Sequence, residues 1–199
     1  MFNKRSLAPI TPLVSAALLT AGCGAQGSSE APQEDLHGAP SVQNPLDTAS
    51  FQKEPCKSLS PQQIQTLGLG NVPGEADLES NGGPACDWSN VVSDAPDPML
   101  LSVTYMTQGQ GLKQDYAKRN EYPNFKEAPA VDGYPAVMGA NNDPIPPEQS
   151  GACDISVGIS NDLTVTVQTS ATTGAVKANS CAKAQQVAGE VVNTVKSGQ

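Results

Sequence analysis

Two stretches late in the chain alternate between apolar and polar residues. Ile155, Val157 and Ile159 alternate with Ser156, Gly158 and Ser160, and Leu163, Val165 and Val167 alternate with Thr164, Thr166 and Gln168. A period of two predicts strands with one buried face. As neighbours, both strands must turn their apolar sets the same way. A turn at Asn161-Asp162 alone would pair Ser160 with Leu163 and mismatch the faces. Pairing Ile159 with Leu163 across a three-residue loop removes the conflict. Met99 to Met106 alternates too, with Leu101, Val103 and Tyr105 on one face and Ser102 and Thr104 on the other. Ala85 to Asn90, which carries Trp88, and Pro135 to Ala140 are further strand candidates.

Helical spacing appears in three places. Ser60-Pro61-Gln62-Gln63 reads as a capping box with proline at the first helical position, and Leu59 and Ile64 are placed to staple it. Leu67 continues that stripe, and Gly68 or Gly70 ends it. Glycine-rich loop material is expected from there to Pro84. Leu112 and Tyr116 predict a short helix over 112–119. Ala184, Val187, Ala188, Val191 and Val195 make one apolar stripe of a helix over 180–196, with Lys196 suited to its negative end. Helices flanking antiparallel strands make an α+β domain.

The start of the chain obeys different rules. Lys4 and Arg5 precede a mostly apolar stretch from Leu7 to Leu19, too short to span a bilayer as a helix. Leu19-Thr20-Ala21-Gly22-Cys23 then resembles a bacterial lipobox, although Thr20 stands where an aliphatic residue is usual. The expectation is a signal peptide over 1–22, removed on export, and a lipid such as palmitate carried by Cys23. Residues 23–50 are poor in large apolar side chains and are expected to form a flexible tether reaching tens of ångströms. Such a segment cannot bury enough surface to offset its ordering entropy. His37, the only histidine, falls there and is expected to be exposed. The globular part is expected over 51–199, on the extracytoplasmic face of the plasma membrane.

Charge narrows the partners. The chain has 11 Lys+Arg against 20 Asp+Glu, and loss of Lys4 and Arg5 leaves a formal 9 − 20 = −11. That surface repels phosphate backbones, which excludes nucleic acid, and offers nothing to anionic lipid, so attachment to the membrane must be covalent. Cys56, Cys86, Cys153 and Cys181 remain in the domain. Outside the membrane, four thiols imply two disulfides, each contributing roughly 2–4 kcal/mol. Three pairings are possible, and the sequential one, Cys56–Cys86 with Cys153–Cys181, is favoured. The domain has no C-x-x-C spacing and no histidine, so no metal site is expected.

Taken in order, Glu54-Pro55-Cys56-Lys57-Ser58-Leu59-Ser60-Pro61, Cys86-Asp87-Trp88, Val131-Asp132-Gly133-Tyr134-Pro135-Ala136-Val137, Cys153-Asp154-Ile155-Ser156-Val157 and the Cys181 helix resemble the actinobacterial lipoproteins grouped as domain-of-unknown-function family 3558. The resemblance covers nearly the whole chain. It implies a cell-envelope lipoprotein of a high-GC Gram-positive bacterium and carries no catalytic residues with it. By fold-level analogy it implies a PsbP/Mog1-like α/β/α sandwich, which does not decide function.

Candidate chemistry is sparse. Without a histidine in the domain, Ser-His-Asp and Cys-His arrangements are excluded. Ser180-Cys181-Ala182-Lys183 matches S-x-x-K, but no Lys-Thr-Gly follows, and Ser180 reads as a helix cap. Asp77-Leu78-Glu79-Ser80-Asn81-Gly82 imitates the start of a calcium loop, yet its twelfth position is Trp88. Gly68-Leu69-Gly70 with Gly74 misses the phosphate-loop spacing and comes after a helix. Asp94, Asp97, Asp143 and Glu148 lie among prolines and read as loop surface. The expectation is a non-enzymatic binding or interaction module without a cofactor, with an envelope protein or small ligand as partner. The alternative is a hydrolase or lyase acting on cell-wall glycans through Asp/Glu, and a pair of carboxylates converging in a cleft would favour it. Trp88 and Tyr134 are the candidates for any ligand cleft, equally plausible as core.

Overall fold

A computed structural model describes residues 35–91 and 97–198. The signal-peptide residues, Cys23 and Asp94 lie outside the described residues. The alternating stretches form the centre of a seven-stranded antiparallel sheet, in the order β1-β2-β3-β7-β6-β5-β4. Its strands are β1 (Glu75–Asp77), β2 (Ala85–Ser89), β3 (Leu100–Tyr105), β4 (Lys126–Val131), β5 (Tyr134–Met138), β6 (Ala152–Gly158) and β7 (Thr164–Ser170). Both disulfides take the sequential pairing, Cys56–Cys86 and Cys153–Cys181.

The β6–β7 register is the one the faces require. Val157 stands opposite Val165 and Ile155 opposite Val167, and the amide of Ile159 donates to the carbonyl of Leu163 at 3.0 Å across residues 160–162. These side chains, with Leu101, Val103 and Tyr105 of β3 and Cys86 and Trp88 of β2, form the main core. Helix α6 (Ser180–Ser197) covers it, burying Ala184, Val187, Ala188, Val191, Val192 and Val195. Each fully buried valine there stabilises by roughly 1.5–3 kcal/mol. The start of α6 is fixed twice: Cys181 is bonded to β6, and Thr169 of β7 donates its hydroxyl to the Ser180 carbonyl.

Helices α1 (Ala49–Lys53) and α2 (Pro61–Thr66) and a 3-10 turn at Pro55–Ser58 flank the main core. The capping box is present, with the Gln63 amide donating to Ser60 Oγ and the Ser60 amide to Gln63 Oε1. Leu59 and Ile64 are both buried, as a hydrophobic staple requires. Three short helices complete the fold: α3 (Leu112–Ala117), α4 (Pro147–Ser150) and α5 (Gly174–Ala178).

The structure departs from the sequence-based expectation in two places. Both edge strands fall where the sequence predicts loop or shows no pattern, although β4 and β5 meet at an Asp132-Gly133 turn with positive φ at both residues, the type I′ signature. Residues 35–50, expected to belong to the flexible tether, instead pack on the domain. Ala39, Val42 and Thr48 are buried, the Leu46 amide donates to the Ile159 carbonyl, and the Val42 amide donates to Asn161 Oδ1. Backbone donors tied to fixed acceptors hold this strap where composition alone would leave it free. His37 is half exposed at the start of the strap.

Candidate functional site

A strand with one buried face shows the other face to whatever lies beyond the sheet, and here that second face is polar. Register stacks its side chains in rows. Ser102, Gln168 and Asp154 form one row across β3, β7 and β6, and Thr104, Thr166 and Ser156 form the next. Helix α3 and the loop before it lie over part of these rows. Leu112 anchors α3 through contact with Gly158 of β6, where an added Cβ would come within 2.9 Å of Leu112 Cδ1. Gly111, at φ 64°, lets the loop press on the β6–β7 turn, since a side chain there would collide with the Asn161 carbonyl. Leu112, Tyr116, Val137 and Ala39 make a second, smaller core beside this seat.

Between the rows and this cover lies a cleft of about 240 Å3. It is lined by hydroxyls and amides, by Asp115 from α3 and by Asp154 from β6, and no lysine, arginine or aromatic residue lines it. Ser156 and Thr166 bond to each other at 3.0 Å, and Asn141 donates its side-chain amide to Asp154. The side chains of Ser102, Thr104, Gln114, Asp115 and Gln168 make no hydrogen bond within the described residues.

The two carboxyls share an environment that disfavours charge. Burial pushes Asp115 up to about 7, the Asp154 charge adds to this, and Lys118 partly offsets it. Burial also raises Asp154, tempered by hydrogen bonds from the backbone around it and from Asn141. Tyr122 is raised by burial and then by the nearby charge of Asp115.

The Asp115 shift predicts a pH effect on stability. Between about pH 4 and about pH 7 the folded chain keeps a proton that the unfolded chain releases, so stability falls as pH rises through that window. A shift from 3.8 to about 7 corresponds to at most about 4 kcal/mol, and water in the open cleft lowers it. Asp115→Asn is therefore expected to stabilise by roughly 1–2 kcal/mol at about pH 8 and by little at about pH 4, read from urea unfolding. Equal effects at both pH values would show that Asp115 is not a strained acid.

The candidates drawn from the sequence lie elsewhere. Trp88 is 3% exposed in the main core, on the opposite face of the sheet. Tyr134 is 7% exposed, donates its hydroxyl to the Asn44 carbonyl at 2.8 Å, and has Lys196 Nζ 5.8 Å above its ring. It borders a separate groove with the strap and pins that segment. Ser180 is buried as the acceptor for Thr169, while Lys183 donates to the Leu67 carbonyl and to Gln186, so S-x-x-K makes no nucleophile–base pair. Asp77 and Asp143 accept backbone amides from Glu79 and Ile145 and shape turns, while Asp97 accepts the Ala175 amide and ties its loop to the start of α5. Among the described residues no group of three or more His, Cys, Asp or Glu could hold a metal ion.

Sequence reasoning missed the acids that do converge, Asp115 and Asp154. A signal for Asp154 existed in the second face of the mid-sheet strands, where Ser102, Thr104, Ser156, Thr166 and Gln168 are all polar. Comparison with known proteins adds the family. No curated protein and no solved structure matches the chain. The model of the family described as "Protein of unknown function (DUF3558)" matches residues 18–194, and the chain belongs to that family.

Proposed function

We propose that this chain is a non-enzymatic binding module of the cell envelope, held at the outer face of the plasma membrane by a lipid on Cys23, and that its ligand occupies the polar cleft on the second face of the sheet. One observation carries the reading. Five side chains in the cleft have hydrogen-bonding capacity that the protein leaves unused, and concave sites with a few convergent polar groups are where small ligands bind. The two disulfides fit an oxidising compartment outside the membrane. No helix among the described residues is long and apolar enough to cross a bilayer, so a covalent lipid would supply the attachment. With the strap packed from Asp35 onward, 34 − 23 = 11 residues separate it from Cys23, a covalent reach of at most roughly 40 Å.

The test is native mass spectrometry of the protein extracted gently from its own membranes without reductant. Wild type is expected to carry a reproducible mass beyond the lipidated, disulfide-bonded chain. Gln168→Trp, at an exposed cleft position, is expected to lose it. A bare mass for wild type would overturn the reading. A second reading, a carboxylate-based hydrolase or lyase of cell-wall glycans, is favoured by the shared cleft of Asp115 and Asp154 and by an acid poised near neutrality. Turnover of such glycans that Asp115→Asn abolishes would replace the first reading with the second.

A further inference from the structure

The lining of the cleft limits the chemistry of anything that binds there. It carries two carboxyls and no basic side chain, so an anion would enter against repulsion with nothing to offset its lost hydration. Only Met106 and Ala140 contribute apolar side chains larger than glycine. No aromatic ring is present on which a flat or sugar-like face could stack. At about 240 Å3 the volume lies below the usual range for drug-sized ligands. What remains unsatisfied is negative charge together with neutral donors and acceptors. Ser102, Thr104 and Gln168 stand in adjacent rows on β3 and β7, and Gln114 faces them from α3.

Resting on the reading of the cleft as a ligand site, we infer that it takes a small organic cation, an ammonium group flanked by hydroxyls, with the charge drawn to Asp115 and Asp154 and the hydroxyls bonded to Ser102, Thr104 and Gln168. The ammonium supplies the positive partner that neither carboxyl has in the lining. Three N–H donors and two carboxyls also match in kind, since an ionised carboxylate only accepts. Binding is coupled to protons. Asp115, at about 7, binds a cation best once ionised, so affinity rises with pH through neutrality and complex formation releases a proton. The other ionisable groups facing Asp115 are Asp154, Lys118 and Tyr122. Of these Tyr122 stays neutral, because burial and the nearby acids raise its own value.

An isosteric pair of probes tests this. 2-Amino-1,3-propanediol and glycerol differ only by an ammonium group in place of a hydroxyl. The full chain, labelled with 15N, is titrated with each at low salt and amide shifts are recorded. The amine is expected to give saturable shifts at Ser102, Thr104, Asp115, Asp154 and Gln168, with affinity about ten-fold or more above that of glycerol. That affinity is expected to rise about ten-fold from about pH 5.5 to about pH 8. Asp115→Asn should weaken the amine toward the glycerol value, leaving the share due to Asp154, and reduce the pH dependence. Asp154→Asn should weaken it with the amides of Val165 and Val167 unmoved, which shows that the sheet is intact. Equal affinities for the two probes would overturn the ammonium assignment and leave the cleft a polyol site, with the binding reading standing. No saturable shift from either probe would also overturn the assignment, and the binding reading falls with it only if the membrane-extracted protein is bare as well.

Discussion

Loss of both disulfides is expected to destabilise the domain by about 7 kcal/mol, enough to unfold it at physiological temperature. The bridges close chain separations of 30 and 28 residues, and the chain-entropy relation gives about 3.6 kcal/mol for each. The loops 56–86 and 153–181 neither overlap nor nest, so the two effects should nearly add. Total stability for a domain of this size is on the order of 5–15 kcal/mol, so the sum is a large part of it. Location points the same way. Cys56–Cys86 ties the 3-10 turn to β2, and Cys153–Cys181 ties β6 to the first turn of α6, the helix that covers the main core. Cys86 and Cys153 are buried, so alanine is the fitting replacement. For Cys153→Ala with Cys181→Ala alone, the urea midpoint should fall by roughly 2 M relative to wild type. Wild-type-like unfolding of the four-alanine variant would mean that packing and strand pairing suffice without either bridge.

How much of the fold is legible in the sequence depends on where each instruction lies along the chain. The β6–β7 register is readable because both strands present one apolar face and a slip by one residue would expose it. The cap of α2 is readable because Ser60, Pro61 and Gln63 act on their own neighbours. The apolar stripe of α6 is likewise local. Strand β1 is hidden because its three residues are all exposed and carry no pattern. Strand β4 contains Pro129, is mostly exposed and shifts register between Ala128 and Val131, so nothing alternates. Asp132-Gly133 is the available sign of that hairpin. The strap is hidden for a different reason. Its few apolar residues are buried by partners far along the chain, such as Leu112 and Val137 around Ala39, and composition within the strap cannot report them. The cleft demands most, because Asp115 and Asp154 meet only once α3 is seated on β6 through Leu112 and Gly158. Each acid alone looks like an ordinary solvated side chain.

Trp88→Ala is expected to cost about 3–5 kcal/mol. By sequence Trp88 is a candidate for two roles that call for opposite outcomes. A ligand-stacking tryptophan sits at a surface, and its loss weakens binding while leaving stability nearly unchanged. A core tryptophan fills volume that neighbours cannot recover. Here the ring lies on the core face of β2, opposite Leu101 of β3 and close in sequence to the buried Cys86. It is covered closely enough that a methyl group on Gly74 would come within 2.7 Å of Trp88 Nε1. Truncation therefore removes a large apolar surface and leaves a cavity walled by the sheet and the Cys56–Cys86 bridge, neither of which can collapse freely. The urea midpoint read by far-UV circular dichroism should drop by roughly 2 M, since the variant has no tryptophan left to report. The folded fraction should still show the cleft shifts with the amine probe, because Trp88 and the cleft lie on opposite faces of the sheet. A cost below about 1 kcal/mol together with lost probe binding would reverse the assignment and make the Trp88 side of the sheet the ligand face.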